Sequence, residues 1–149
     1  PLQVIYARDL AAWLLHLLDQ GAAGAFNAVS PPGAITWGSL LQACAAAAGV
    51  LPDLRWVPDD QLLAAGVGPW MELPLWTPAS GPDAADSAAF MVVPSARAQA
   101  AGLRCRPITD TVADTLAWWQ ALPTGQQVFA ATGLAPEREA ALTRTAPGQ

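Results

Sequence analysis

Apolar residues along this chain follow two rhythms, a helical one of three to four and a shorter alternating one, with Pro and Gly as punctuation. Residues 2–6 (L-Q-V-I-Y) alternate weakly and predict a short strand. Leu10, Trp13, Leu14, Leu17 and Leu18 recur at the spacing of one helical face, with Asp9 as the cap and Gly21 as the stop. Residues 25–29 (A-F-N-A-V) predict a second strand, closed by the breaker Ser30, Pro31, Pro32, Gly33. Thr36 predicts the N-cap of a helix running to Ala48, with Leu40, Leu41 and Cys44 inward and Gly49 at its end. Residues 54–57 (L-R-W-V) are strand-like, and Pro58, Asp59 and Asp60 open a short helix that Gly66 stops. Residues 79–88, rich in Ser, Gly, Pro and Asp, predict a polar turn or mobile segment. A strand over 90–93 and a short helix from Pro94 and Ser95 to Gly102 come next. Thr109 or Asp110 then starts the last strong helix, with Val112, Leu116 and Trp119 on one face. Residues 136–144 predict a weak polar helix after a turn at Gly133, and no internal repeat is present. This order predicts a small mixed α/β fold, with a domain over 1–122 and a tail over 123–149.

One stretch obeys neither rhythm. Residues 66–78 (G-V-G-P-W-M-E-L-P-L-W-T-P) crowd Trp70, Met71, Leu73, Leu75 and Trp76 between prolines and glycines, so neither a regular helix nor a central strand accommodates them. The stretch predicts a loop of core-like composition, with Glu72 as its single charge. Such a loop either plugs the side of its own domain or lines a cavity, covers a ligand or meets a partner.

Composition narrows the function classes. A chain of 149 residues suits one domain, and its 53% hydrophobic content against 13% charged content is that of a globular protein poor in solubilising charge. A net charge of -5 argues against nucleic acid and anionic membranes, which are bound through clustered Lys and Arg. All seven basic residues are arginine. Without lysine the chain has no Walker lysine, Schiff base or Tyr-x-x-x-Lys relay. Cys44 and Cys105 lack metal-ligand spacing and predict two buried reduced thiols in a cytoplasmic protein, although position alone leaves a disulfide open. His16, the only histidine, points away from the apolar stripe and predicts a solvated side chain. No apolar run reaches the roughly 18 residues of a membrane helix, and no signal-peptide pattern is present. The chain opens at Pro1 in mid-pattern, which predicts a fragment or a processed piece.

A resemblance runs through about residues 1–120. The pieces Gln3-Val-Ile-Tyr-Ala-Arg-Asp9-Leu-Ala, Gly24-Ala-Phe-Asn27, the helix from Thr36, Phe90-Met-Val-Val-Pro-Ser95-Ala-Arg97-Ala-Gln-Ala-Ala-Gly102-Leu, Arg106-Pro107 and Asp114-Thr-Leu-Ala-Trp118 stand in an order that resembles the C-terminal half of extended short-chain dehydrogenases/reductases. These are the NAD-dependent epimerases, dehydratases and related reductases. The resemblance implies a Rossmann-like parent whose N-terminal half binds NAD or NADP through a glycine-rich turn and which catalyses with a Ser/Thr, Tyr and Lys set. This chain carries neither. Gly66 and Gly68 have no strand before them, Met71 stands where a third glycine belongs, and Tyr6 is followed four positions on by Leu10. No cofactor is therefore expected on this chain. Sugar-nucleotide members carry an arginine where this chain has Leu2 or Gln3.

In that family the C-terminal half forms one wall of the substrate pocket over the cofactor domain. The resemblance then implies that Trp70, Met71, Leu73 and Trp76 form an apolar lid, that Glu72 orients a substrate hydroxyl or caps nearby backbone, and that Arg8 meets a polar substrate group. Aromatic walls with one or two placed polar groups suit a small-molecule cleft. For Arg8 and Asp9 the alternative is a helix cap with a local ion pair. Three functions stay open: the substrate-side part of an NAD(P)-dependent oxidoreductase or epimerase, inactive without its N-terminal cofactor domain; a free-standing small-molecule-binding module; and a module that pairs with a second copy.

Overall fold

A computed structural model describes residues 1–81, 84–128 and 133–145. Helices dominate: α1 (Ala7–Asp19), α2 (Trp37–Ala48), α3 (Asp59–Ala64), α4 (Ala84–Ala88), α5 (Ala96–Ala100), α6 (Ile108–Ala121) and α7 (Pro136–Thr145), with a 3-10 turn at Thr124–Gln126. The chain divides into two compact units. One holds Pro1–Leu51 and Met91–Leu122, the other Pro52–Phe90 and Pro123–Gln149.

The strands predicted over 2–6, 25–29, 54–57 and 90–93 do not form. Among the described residues, pairing is limited to two isolated bridges, Leu2 with Ile35 (antiparallel) and Pro69 with Leu73 (parallel). A strand exists only by virtue of a partner, and these segments make few ladder bonds: the Leu2 N–H donates to Ile35 O at 2.8 Å and the Ser30 N–H to Val4 O at 3.1 Å. The described residues therefore make up helices joined by extended segments, and do not themselves build a Rossmann-like sheet.

In the first unit the core gathers Trp13 and Leu17 of α1, Ala98 of α5 and Leu103, with Ile5, Leu10, Phe26 and Cys105 packed around them. Trp13 meets Phe26 edge-on at 5.5 Å and donates its indole N–H to Ala101 O at 2.9 Å. Two members of the predicted α1 stripe face outward, Leu14 and Leu18 being 49% and 75% exposed. α2 packs on α6. Its start carries the predicted cap: the Thr36 hydroxyl accepts from the Ser39 N–H at 3.1 Å, and the Ser39 hydroxyl accepts from the Thr36 N–H at 2.9 Å. Gly49 closes it in the left-handed conformation, φ 67°.

Two other predicted starts are corrected. Asp9 lies inside the first turn of α1, whose N-cap is Tyr6, and its carboxylate is engaged elsewhere. α6 begins after Pro107, whose fixed φ suits a helix entrance, rather than at Thr109 or Asp110. Part of the polar segment predicted over 79–88 is the helix α4; residues 82 and 83 lie outside the described residues, as do 129–132 and 146–149 of the predicted tail. In the second unit Leu62, Val67 and Trp76 are buried.

Candidate functional site

Two clusters of placed polar groups stand out, one in each unit. In the first, Gln3 is buried and uses its whole amide. Its Nε2 donates to Ser30 O at 2.8 Å and to Val93 O at 2.9 Å, while its Oε1 accepts from the Val93 N–H at 2.7 Å. Asn27 donates to Pro94 O at 2.9 Å. Asp9 receives Arg106 three times, from the backbone N–H at 2.9 Å, Nε at 2.9 Å and Nη2 at 2.7 Å, and Arg106 Nη1 reaches Asp114 at 3.0 Å. The guanidinium lies 4.0 Å from the centre of the Tyr6 ring.

These contacts set the titration of the cluster. Hydrogen bonds from Arg106 hold Asp9 below its ordinary value and raise Arg106 in return. Loss of water and a hydrogen bond to Asp114 push the Tyr6 phenol up, against the pull of Arg8 and Arg106. Burial pushes the Cys105 thiol up as well. Cys44 and Cys105 are both free thiols, but neither is fully buried: Cys44, expected to face inward, is exposed, with Ala43 beside it taking the buried position of α2, and Cys105 is half-buried; His16 is exposed. No group of three His, Cys, Asp or Glu among the described residues is arranged to hold a metal ion, and no helix among them is long and apolar enough to cross a membrane.

The second cluster is the 66–78 loop. Leu73, Pro74, Leu75 and Trp76 form a turn closed by the Trp76 N–H on Leu73 O at 3.1 Å, with Pro at the second position and Leu75 at φ 66° in the third, where a type II turn normally has Gly. Trp70, also after a proline, has φ 66° and sits at the centre of a three-residue turn in which the Met71 N–H donates to Pro69 O at 2.7 Å. Two bulky residues at positive φ are sources of strain, each of about 1–3 kcal/mol. Neighbouring polar groups hold them. Asp59 of α3 accepts the Trp76 indole N–H at 2.9 Å on one oxygen and the Ala79 N–H at 2.6 Å on the other. Glu72 accepts the Gly68 N–H at 2.7 Å on one oxygen and pairs with Arg138 of α7 on the other.

The predicted site residues are thus dealt to different positions. Arg8 belongs to the first unit, 5.9 Å from the Tyr6 ring centre, and the expected local pair with Asp9 is replaced by the Asp9–Arg106 pair. Trp76 is buried and Leu73 half-buried. Trp70 and Met71 are 44% and 60% exposed, and Trp70 meets Phe90 edge-on at 5.2 Å. Of the two roles expected for Glu72, the backbone cap is the one occupied. Sequence reasoning passed over Gln3, Asp59, Arg106 and Arg138; the available signals were a polar residue within an apolar segment and a lone loop carboxylate needing a cation.

The second unit also holds an open groove of about 560 Å³ lined by Asp53, Arg55, Pro136, Glu139 and Arg144. Arg55 is engaged with Asp53 at 2.7 Å, and the mixed-charge lining lacks the apolar walls that a small-molecule cleft uses. Comparison of the chain with models of known families, with curated proteins and with solved structures finds no match.

Proposed function

We propose that this chain is the substrate-side portion of a cytoplasmic NAD(P)-dependent oxidoreductase or epimerase of the extended short-chain dehydrogenase/reductase type, with cofactor and proton relay supplied by an N-terminal half. One observation carries the reading. The sequence pieces that resemble that family meet one another: Gln3 on Val93, Asn27 on Pro94, and Asp9 on Arg106. Two further features support it. Residues 25–28 have no regular secondary structure and no backbone–backbone hydrogen bond among the described residues, which leaves their backbone free to pair with a sheet, and Leu14, Leu15 and Leu18 leave an apolar face on α1.

In this reading the chain binds and selects a small substrate and transforms nothing by itself. The exposed Trp70 and Met71 supply the apolar wall, with Leu73, Glu72 and the buried Trp76 as its support. Trp70→Ala in the parent enzyme raises KM for substrate by about tenfold, the worth of one large apolar contact, and leaves the nicotinamide Kd unchanged. An unchanged KM refutes the assignment of the loop. The exposed α1 face also favours a second reading, pairing with another copy of the chain; sedimentation showing a monomer at high concentration rejects it.

A further inference from the structure

We propose that Arg138 is a positioning residue, a latch through which α7 fixes the conformation of the aromatic loop and so the presentation of Trp70 and Met71. The inference rests on the reading of that loop as a substrate wall only for its kinetic consequence; the latch stands on geometry within the second unit.

A guanidinium offers five N–H donors in a rigid plane, and Arg138 uses them on three acceptors. Nη1 pairs with Glu72, and Nη2 donates to Ala65 O at 2.9 Å and Gly66 O at 2.7 Å. The last two are carbonyls just beyond the end of α3, where helices leave acceptors without intrahelical partners and where a cation is favoured. Glu72 is itself bound to the Gly68 N–H, and the Glu72 N–H donates to Gly68 O at 3.1 Å, so residues 68–72 close into a ring. Arg138 is the rivet between that ring and the helix end. A second, longer tie comes from the same part of the chain, the Gly133 N–H to Met71 O at 3.4 Å.

The ring contains Trp70 at φ 66°, a conformation that a non-glycine residue keeps only where its surroundings over-determine it. Asp59 anchors the far end of the loop through Trp76 and Ala79, and the Trp70 N–H reaches that end on Trp76 O at 3.3 Å, whereas Glu72 and Arg138 tie residues 68–72 to the end of α3. Removing Arg138 therefore cuts the side-chain tie between the ring and the end of α3 and leaves the ring held on its Trp76 side. Lysine does not replace it, because one ammonium on a flexible stem cannot serve three acceptors in a plane.

The test is hydrogen exchange on the 149-residue chain. Arg138→Ala is expected to speed exchange of the Gly68, Trp70 and Glu72 amides by about tenfold or more, with the Val67 amide, bonded to Leu62 O at 3.0 Å, still protected. Arg138→Lys fails to restore protection. Glu72→Gln, which keeps α7 intact and loses only the charge, gives the same local pattern at smaller amplitude. Unchanged exchange at the three amides in both Arg138→Ala and Glu72→Gln overturns the latch, and so does equal loss at Val67, which makes the contact ordinary packing. In the parent enzyme Arg138→Ala raises KM with kcat retained. If exchange responds and KM does not, the substrate-wall reading falls and the latch stands.

Discussion

Gln3→Glu changes one atom and tests how the first unit is held together. The side chain is 8% exposed, and among the described residues its Nε2 is the sole donor to Val93 O and one of two to Ser30 O, the other being the Ser95 hydroxyl at 3.3 Å. Replacing that nitrogen by a carboxylate oxygen removes two hydrogen bonds and turns two carbonyl oxygens, now 2.8 and 2.9 Å away, toward an anion. At about 1 kcal/mol net for each lost bond, and a similar amount for the carbonyl left unsatisfied, the loss is about 3 kcal/mol at pH 7. With an m-value of about 2 kcal/mol per M, the urea midpoint followed by circular dichroism falls by about 1.5 M. Burial disfavours the carboxylate, so the loss is smaller at pH 4, where the side chain takes up a proton and regains a donor. Gln42→Glu, on the exposed side of α2, carries the same charge change and stays within about 0.5 kcal/mol of the parent. A Gln3→Glu midpoint equal to that of the parent, or equal losses in the two variants, refutes the account of Gln3 as a three-point staple.

Asp9 has its folded pKa held below the unfolded value of about 3.9, so its contribution is complete above that pH and is lost as pH falls through the folded value. Asp9→Asn therefore unfolds more easily at pH 7, and its urea midpoint converges on that of the parent as the pH is taken below about 4. Gly102 has φ 89°, and a Cβ there would stand 2.8 Å from His16 Nε2. Gly102→Ala costs about 1–2 kcal/mol, and adding His16→Ala recovers little of it, because the exposed ring can swing aside whereas the backbone strain remains; full recovery would place the whole cost in the clash. Trp70→Gly is more stable than Trp70→Ala by about 1 kcal/mol in thermal unfolding, since glycine tolerates φ 66° without strain.

Local physics was legible in the sequence and long-range partners were not. The Thr36 cap, its Gly49 stop and the spacing of Trp13 and Leu17 depend on residues a turn or two apart, and the helices they predict are present. The strands failed because pairing is a property of two segments: residues 25–29 have strand composition and no neighbouring strand. Asp9 was read as a cap because helix starts favour acids, yet its partner Arg106 is 97 residues away, beyond any local pattern. Periodicity placed Leu10, Trp13, Leu14, Leu17 and Leu18 of α1 on one face, but an apolar stripe says only which side seeks cover. How much of that side is covered depends on what packs there, and here Trp13 and Leu17 are covered while Leu14 and Leu18 are not.

The aromatic loop shows how one composition divides into support and surface. Its apolar content alone suggested a uniform lid of four residues, but Pro69 and Pro74 set the division. Each proline fixes its own φ, and the residue after it, Trp70 or Leu75, takes positive φ and reverses the chain. Between the two reversals Glu72 is turned back onto Gly68, and after the second Trp76 is turned onto Asp59, which leaves Trp70 and Met71 at the outer bend. The consequence for the proposed role is specific. Trp76→Ala removes a buried side chain and costs about 3–5 kcal/mol of stability, so a rise in KM from it has two possible causes, whereas Trp70→Ala leaves the buried support in place and isolates the surface. In the proposed role, selectivity in this loop is therefore to be sought at its two exposed large side chains, Trp70 and Met71, with the carboxylate and the buried indole as the means of holding them there.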